Sequence, residues 1–138
     1  METTSFRNWN VLCWNVRGLN SDARQRDIRA KIEESHCSII CLQETKCEQF
    51  DIRKIRSFCP RCFDQFDFSP SVGASGGIIF LWCSSALTGT LVELQSFCIL
   101  INFTSTRNNQ TWTLLMFMGL VRESLGILLC TGYIIFKF

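Results

Sequence analysis

Apolar side chains are concentrated in short runs that have the length of β-strands. Residues 10–16 ("NVLCWNV") and 38–42 ("SIICL") form two such runs, each nearly continuous in apolar or strand-forming residues. A strand covered on both faces has this pattern, whereas a strand with one face in solvent alternates between apolar and polar positions. We therefore predict two buried strands near the start of the chain.

A helix is predicted between these two strands. Asn20 or Ser21 offers a side-chain oxygen suited to an N-cap, and Asp22 is favourable in the first turn. The helical pattern extends to about Glu34, with a narrow apolar face and a broad charged face. A strand, a helix and a strand in this order favour a layered α/β fold.

A second helix is predicted over residues 48–58, where Ile52 and Ile55 lie on one side. Pro60 prevents its continuation, because proline lacks the backbone N–H that a helix interior needs. Phenylalanines then lead into residues 69–77, "SPSVGASGG", which have the composition of a turn-rich loop.

The rest of the chain is rich in strand-forming residues separated by turn signals. The stretches are "GIIFLWCSS", "TLVELQSFCILINFTS" and "QTWTLLMFM". Hairpins are expected to join them, giving about six strands and two helices in total. The expected fold is an α/β sandwich with a mixed β-sheet.

Composition and charge narrow the class of protein only slightly. The 138 residues are 47% hydrophobic and 19% charged, which is typical of one globular domain with a real core. The formal net charge of +2 does not by itself indicate a partner.

The cysteines raise the question of a disulfide framework or a metal site. Nine are present, but the first residues, "METTSFRNWN", lack the apolar segment of a signal peptide, so a reducing intracellular location is expected. Cys59 and Cys62, in "FCPRCF", have the spacing of a zinc or redox pair. Structural zinc requires four ligands, and no matching second pair is present, so zinc binding is left open and not favoured.

The C-terminal segment, "TLLMFMGLVRESLGILLCTGYIIFKF", is apolar but interrupted. Arg122 and Glu123 divide it, and neither apolar block reaches the roughly 20 residues that a membrane-spanning helix needs. No membrane association is therefore expected, and anchoring by residues 125–136 is a minor alternative.

Two polar residues stand where the first two strands end. Asn15 lies at the end of the first apolar run, and Glu44 comes directly after the second. If the strands are neighbours, both side chains converge on one edge of the sheet, where α/β proteins bind ligands. Amide and carboxylate oxygens are hard donors suited to Mg²⁺ or Mn²⁺. The residues are also compatible with ordinary turn or capping roles.

Three motifs then suggest a family. "WNVRGLN", "CLQETK" and "SPSVGASGGI", in this order and spacing, resemble the endonuclease/exonuclease/phosphatase superfamily. The chain is most similar to the N-terminal endonuclease region of plant LINE-type (non-LTR) retrotransposon polyproteins, over about residues 8–119. The resemblance implies the N-terminal half of a four-layered α/β sandwich. It also implies cleavage of phosphodiester bonds in DNA with Mg²⁺ or Mn²⁺.

The same resemblance assigns roles to individual residues. Asn15 matches the strand-end Asn that orients metal-bound groups or the attacking water, and Glu44 matches the metal-binding Glu. Both are therefore the expected catalytic and metal-site residues. Lys46 belongs to the second motif without an assigned catalytic role. Residues 75–77 match a segment where small side chains allow close backbone packing, a structural role.

Other parts of the family pattern are missing. Its later elements supply a strand-end Tyr, an Asp-x-Asn motif and a terminal Ser-Asp-His, and none of these motifs is present. The single histidine, His36, lies at the end of the first predicted helix, where a surface or capping role is expected. Met118 stands at the position of the Tyr, and Tyr133 lies too far along the chain to replace it.

These departures predict a partial domain over residues 1–119 and an apolar tail over 120–138 without family resemblance. We expect such a truncated nuclease domain to be inactive by itself. A half-sandwich would also lack the second sheet that covers the first, leaving apolar faces and strand edges exposed.

A second function remains open from the sequence. Arg17, Arg24 and Arg53 give the first part of the chain a basic face, which would suit a non-catalytic module that binds nucleic acid. An intracellular location is expected in either case, and a nuclear one if the protein is functional.

Overall fold

The described part of the computed structural model comprises residues 10–73, 75–117, 120–123, 126–129 and 133–137. The elements in these residues, in chain order, are β1 (Asn10–Asn15), α1 (Asp22–Ser35), β2 (Ile39–Gln43), α2 (Ile52–Arg56), β3 (Gln65–Ser69), β4 (Ile78–Trp82), β5 (Leu87–Gln95), β6 (Cys98–Ser105), β7 (Thr111–Phe117), β8 (Leu120–Glu123), β9 (Gly126–Leu129) and β10 (Tyr133–Lys137). The six predicted strands are present as β1, β2 and β4–β7. The sequence patterns missed β3 and the three strands after residue 119.

The first sheet is mixed, and its strand order is β10-β1-β2-β4-β3. β1 and β2 are parallel and joined by α1, whereas every other pairing in this sheet is antiparallel. The mixed α/β architecture expected from the sequence is therefore confirmed. The parallel pair matters for function, because both strands end at the same edge of the sheet.

Both faces of the first sheet are covered, which explains the continuous apolar runs. In β4, Ile79 and Leu81 face the helices, whereas Phe80 and Trp82 face the second sheet. All five residues of β2 and all five of β4 are buried. Alternate side chains of a strand point to opposite faces, so a strand between two layers has no place for a polar side chain in its middle.

A second sheet contains β5 to β9 in consecutive order, with antiparallel pairings throughout. Its inner side chains, among them Ile101, Phe103 and Leu114, pack on the first sheet. The Phe103 ring meets the Trp82 indole edge to face, with centroids 5.3 Å apart. The expectation that a second sheet is missing was therefore wrong, because consecutive hairpins after β4 build that sheet.

Residues beyond 119 contribute to both sheets. β8 and β9 extend the second sheet, and β10 pairs with β1 at the edge of the first. Met118, at the position expected for the family Tyr, lies outside the described residues. The described residues form three layers, with helices on one face of the first sheet and the second sheet on the other. The outer face of the second sheet carries polar side chains such as Asn102, whose Oδ1 accepts a hydrogen bond from Thr113 Oγ1 at 2.6 Å.

The first helix agrees with its prediction, and the second is shorter than predicted. Ser21 caps α1, because its hydroxyl oxygen accepts a hydrogen bond from the Arg24 N–H at 3.1 Å. In α2 the Asp51 carboxylate accepts a hydrogen bond from the Lys54 N–H at 2.8 Å, so the helix begins at residue 52 and not at 48. A local cap therefore outweighs the apolar spacing on which the longer helix was based.

None of the helices in the described residues has the length and apolar character needed to cross a membrane.

Candidate active site

The site begins at the ends of the two parallel strands. Asn15 is the last residue of β1 and pairs with Gln43, the last residue of β2, so Glu44 lies one position beyond. The Asn15 Nδ2 donates a hydrogen bond to Glu44 Oε2 at 2.5 Å. A carboxylate can only accept, which fixes the orientation of the Asn15 amide with its NH₂ toward Glu44. The structure therefore brings together the two residues that the sequence singled out.

The backbone around Glu44 adopts an uncommon conformation. Glu44, Lys46 and Arg17 have φ angles of 54°, 57° and 55°, in the left-handed region that side chains other than glycine rarely occupy. Such residues cost on the order of 1 kcal/mol or more each and cluster at functional sites, where the surrounding structure enforces them. Here the Gly18 N–H donates to the Glu44 carbonyl at 2.8 Å. This hydrogen bond joins the loop after β1 to the loop after β2.

A third segment, the two glycines before β4, closes the other side of the Glu44 loop. The Thr45 N–H donates to the Gly77 carbonyl at 3.1 Å, and the Lys46 N–H donates to the Gly76 carbonyl at 2.9 Å. Gly77 has φ +96°, and a Cβ there would stand 2.2 Å from Thr45 Oγ1. The close packing expected for residues 75–77 is therefore present at Gly77.

The oxygens at this edge of the sheet suit a hard cation. The Asn15 Oδ1 is buried and has no hydrogen-bond partner, and Glu44, half-buried, retains a second carboxylate oxygen. A buried acceptor without a donor is costly unless water or an ion satisfies it. The donor set therefore fits a divalent cation that takes one carboxylate and completes its shell with water. The part of the chain that is described has no cluster of three or more His, Cys, Asp or Glu side chains that would form an all-protein cage.

Basic side chains lie near this edge, and the sequence had assigned a role to only some of them. Arg17 is exposed in the loop after β1, and Arg24 is half-buried in the first turn of α1. An open pocket of about 470 Å³ beside the Glu44 loop is lined by Lys46, Lys54 and Asn20, among others. The Lys54 Nζ donates to Asn20 Oδ1 at 2.9 Å.

Lys54 was missed because its position in a short helix gives no signal that it lies beside the loop after β1. Only the packing of α2 places it there, where its Nζ also donates to the Leu19 carbonyl at 3.4 Å. The third basic residue considered from sequence, Arg53, is exposed on the same helix.

Histidine and the cysteine pair lie away from the Asn15–Glu44 pair. His36 is exposed and ends α1 with φ 53°, a C-cap conformation, as expected for a surface or capping role. It precedes β2, whereas Glu44 follows β2, so roughly 16 Å of strand separates them. Cys59 is fully buried and Cys62 is exposed.

The sequence and the fold resemble those of known proteins. A model of the Endonuclease/Exonuclease/phosphatase family matches residues 12–116. The solved structure of AP endonuclease LMAP from Leishmania major matches with a TM-score of 0.60 and 16% identity, over 82% of this chain and 40% of that chain. The APE2 catalytic domain of Xenopus laevis matches with a TM-score of 0.51 and 17% identity, over 77% of this chain and 43% of that chain.

This chain therefore spans less than half the length of either solved structure. At these identities the likeness concerns the fold. A comparison with curated proteins gave no significant match.

Proposed function

The chain belongs to the endonuclease/exonuclease/phosphatase family, and from this premise we propose that Asn15 and Glu44 form part of a divalent-metal site for phosphodiester cleavage in DNA. The observation that carries the proposal is the 2.5 Å hydrogen bond from Asn15 Nδ2 to Glu44 Oε2 at the shared end of two parallel strands. The residues come from different parts of the chain, yet they meet at one edge of the sheet.

The two residues have different roles in this proposal. Glu44 would hold Mg²⁺ or Mn²⁺ through its carboxylate, and Asn15 is a positioning residue that fixes the carboxylate by donating to one oxygen. The bound ion would polarise a phosphoryl oxygen and stabilise the departing oxyanion. Because Asn15 Oδ1 is a buried acceptor without a partner, it offers a second oxygen toward the ion or a water bound to it.

DNA is the proposed substrate, and the AP endonucleases among the solved structures support this choice. Arg17 is exposed two residues beyond Asn15, and Lys46 and Lys54 line the pocket beside the Glu44 loop. Cationic side chains at these places would attract the phosphate backbone and orient it toward Glu44.

The activity of this chain by itself is proposed to be very low. The only histidine, His36, lies at the opposite end of β2 from Glu44, so no imidazole is available beside Glu44 as a general acid or base. Loss of such a transition-state group typically costs a factor of about 10² or more in rate. We infer that the residues described contain a cation-binding part of the family site without its full set of catalytic groups.

A retroelement origin is the last part of the proposal. It is supported by the resemblance of "WNVRGLN", "CLQETK" and "SPSVGASGGI", in this order, to motifs of LINE-type endonuclease regions. The test is the genomic sequence downstream of the Gly119 codon. An alternative frame that encodes the missing Tyr, Asp-x-Asn and Ser-Asp-His motifs would support truncation of such an element, and unrelated sequence in every frame would argue against it.

Metal binding is the direct test of the site. Mn²⁺ titration followed by electron paramagnetic resonance should show one site in the wild-type chain, and Glu44→Gln should abolish it. Asn15→Ala should weaken binding by about 10- to 100-fold, the usual effect of removing a partner that orients a ligand. Glu33→Gln is the matched control, because Glu33 is exposed on α1 and distant from the site. Equal binding by the Glu44→Gln and Glu33→Gln proteins would refute the proposed site.

Nicking of supercoiled plasmid DNA with Mg²⁺ tests the activity separately. We expect little or no nicking by this chain. Nicking that disappears in the Glu44→Gln protein would overturn the inference of low activity while supporting the site.

A non-catalytic DNA-binding module is the second candidate, favoured by the exposure of Arg17 and Arg53. Fluorescence anisotropy at several salt concentrations measures it, and each lost phosphate contact should reduce the salt slope by about 1. Binding that Arg17→Ala weakens and Glu44→Gln leaves unchanged, without any metal binding, would favour this candidate over the nuclease-like site.

A further inference from the structure

The end of the first sheet opposite Glu44 collects three cysteines from distant parts of the sequence. Trp82, the last residue of β4, pairs with Ile39 on one side and with Gln65 on the other. Cys83 follows directly, so the segments just before β2 and just before β3 flank it. Those segments carry Cys37 and Cys62.

Cys62 and Cys83 are neighbours at this end of the sheet. Cys62 is exposed, and Cys83 is half-buried. Burial, together with the neighbouring Cys62 side chain, raises the pKa of the Cys83 thiol to about 12. Cys83 is therefore a protonated thiol at neutral pH and lies against a cysteine that solvent can reach.

Neighbouring contacts hold this pair together. The Asp64 carboxylate accepts hydrogen bonds from the Ser84 hydroxyl at 2.6 Å and from the Ser84 N–H at 2.9 Å. Asp64 lies two residues after Cys62, and Ser84 lies next to Cys83, so these bonds connect the two segments. In the stretch that leads to Cys62, Arg56 Nη1 donates a hydrogen bond to the Pro60 carbonyl at 3.1 Å.

Cys59, the other half of the C-x-x-C pattern, is unavailable as a partner. It is fully buried in the core between the first sheet and the helices, and burial raises its pKa well above the ordinary value. The Arg29 guanidinium donates to its carbonyl at 3.3 Å and so helps to fix the backbone in this position. Cys59 is therefore less accessible to a reagent than Cys83, which is half-buried beside the exposed Cys62.

We propose that Cys62 and Cys83 are a reversible disulfide site that reacts with low-molecular-weight disulfides such as oxidised glutathione. The exposed Cys62 thiolate attacks one sulfur of the reagent, the reagent S–S bond breaks, and one glutathione thiolate leaves. Cys83 then loses its proton to solvent, and its sulfur attacks Cys62 Sγ and displaces the second glutathione. Two protein thiols are thereby oxidised, and one reagent disulfide is reduced to two thiols.

The bond would tie the loop before β3 to the segment after β4. It would close a loop of about 20 residues. A disulfide that closes a loop of that size raises the melting temperature of a domain of this length by roughly 5–10 °C. The oxidised chain should therefore melt higher than the reduced chain, and dithiothreitol should reverse the change. This inference does not depend on the proposed nuclease-like function.

The test uses the folded full chain, first reduced and then treated with oxidised glutathione. After free thiols are alkylated, peptide mapping should show a Cys62–Cys83 cross-link. Cys62→Ser should prevent it, and Cys83→Ser should leave a lasting glutathione adduct on Cys62. Cys37→Ser is the matched control, since Cys37 is half-buried at the same end of the sheet, and this variant should keep the cross-link.

Two results would overturn the proposal. They are a cross-link from Cys62 to Cys37 or Cys59, and a wild-type chain that accumulates only the Cys62 adduct. If Cys83→Ser does not fold, the wild-type peptide map and the Cys62→Ser protein decide the question without it.

Discussion

Replacing Gly77 by alanine should destabilise the protein far more than the same change at its neighbour Gly76. Both glycines have positive φ, +96° at Gly77 and +82° at Gly76. Both therefore force alanine into a strained conformation that costs about 1–2 kcal/mol. The two positions differ in the space around them, because a Cβ at Gly76 meets nothing within 4 Å.

At Gly77 the added methyl group would stand 2.2 Å from Thr45 Oγ1 and 3.3 Å from the Lys46 backbone nitrogen. Thr45 is fully buried, and its hydroxyl oxygen accepts a hydrogen bond from the Cys47 N–H at 3.3 Å. Moving the Thr45 hydroxyl aside would break its hydrogen bond with the Cys47 N–H, which costs about 1 kcal/mol. Overpacking of a buried site adds about 1–3 kcal/mol. The predicted losses are about 3–6 kcal/mol for Gly77→Ala and about 1–2 kcal/mol for Gly76→Ala.

Urea unfolding followed by tryptophan fluorescence measures the difference. With a slope near 2 kcal/mol/M, a gap of about 2 kcal/mol between the variants separates their midpoints by about 1 M. Changes in the unfolded chain are common to both substitutions and cancel in the comparison. Equal midpoints for Gly76→Ala and Gly77→Ala would show that close packing against Thr45 is not what requires glycine, and the reasoning would fail.

Two further predictions concern contacts that join distant segments of the chain. Arg29→Ala removes a guanidinium that donates to the Cys59 carbonyl at 3.3 Å and to the Arg56 carbonyl at the end of α2. It should lower the free energy of unfolding by about 2 kcal/mol. Arg26→Ala, exposed on the same helix, should change it by less than about 0.5 kcal/mol in the same urea titration. Hydrogen bonds from Ser84 hold the pKa of Asp64 below its ordinary value of 3.8, so this carboxylate stabilises the fold above that pH and loses its contribution as the pH falls through the lowered pKa. Asp64→Asn should therefore lose less stability than the wild type between pH 6 and pH 3, by a small margin because the group is exposed, and an equal acid sensitivity of both proteins would contradict this assignment.

The parts of the fold that were predictable depend on local signals. Ser21 caps α1 as its side chain suggests, and the continuous apolar runs of β2 and β4 indicate strands covered on both faces. The strand β3 was missed because the Phe66–Phe68 segment merges with a turn-rich loop and has only β4 as its strand neighbour. The partner of β10 is β1, at the other end of the chain, and no local pattern specifies so distant a pairing.

In the candidate site too, some features were predictable from the sequence and others were not. Parallel strands end at the same edge of a sheet, so the positions of Asn15 and Glu44 along the sequence were enough to predict their approach. The left-handed conformation of Glu44 and the contact between Gly77 and Thr45 were not predictable, because both depend on the loop before β4. That loop reaches the site only after β4 has paired with β2.

The direction of β4 also determines how the two proposed sites are related. β4 runs antiparallel to β2, so the loop before it meets the Glu44 end of the sheet and the residue after it, Cys83, lies at the other end. Five strand residues separate the two ends by roughly 16 Å. Oxidation of Cys62 and Cys83 should therefore leave Mn²⁺ binding at Glu44 unchanged, because both ends are attached to a fully buried strand that a distant disulfide cannot shift. A change in Mn²⁺ affinity on oxidation would mean that β4 transmits strain along its length.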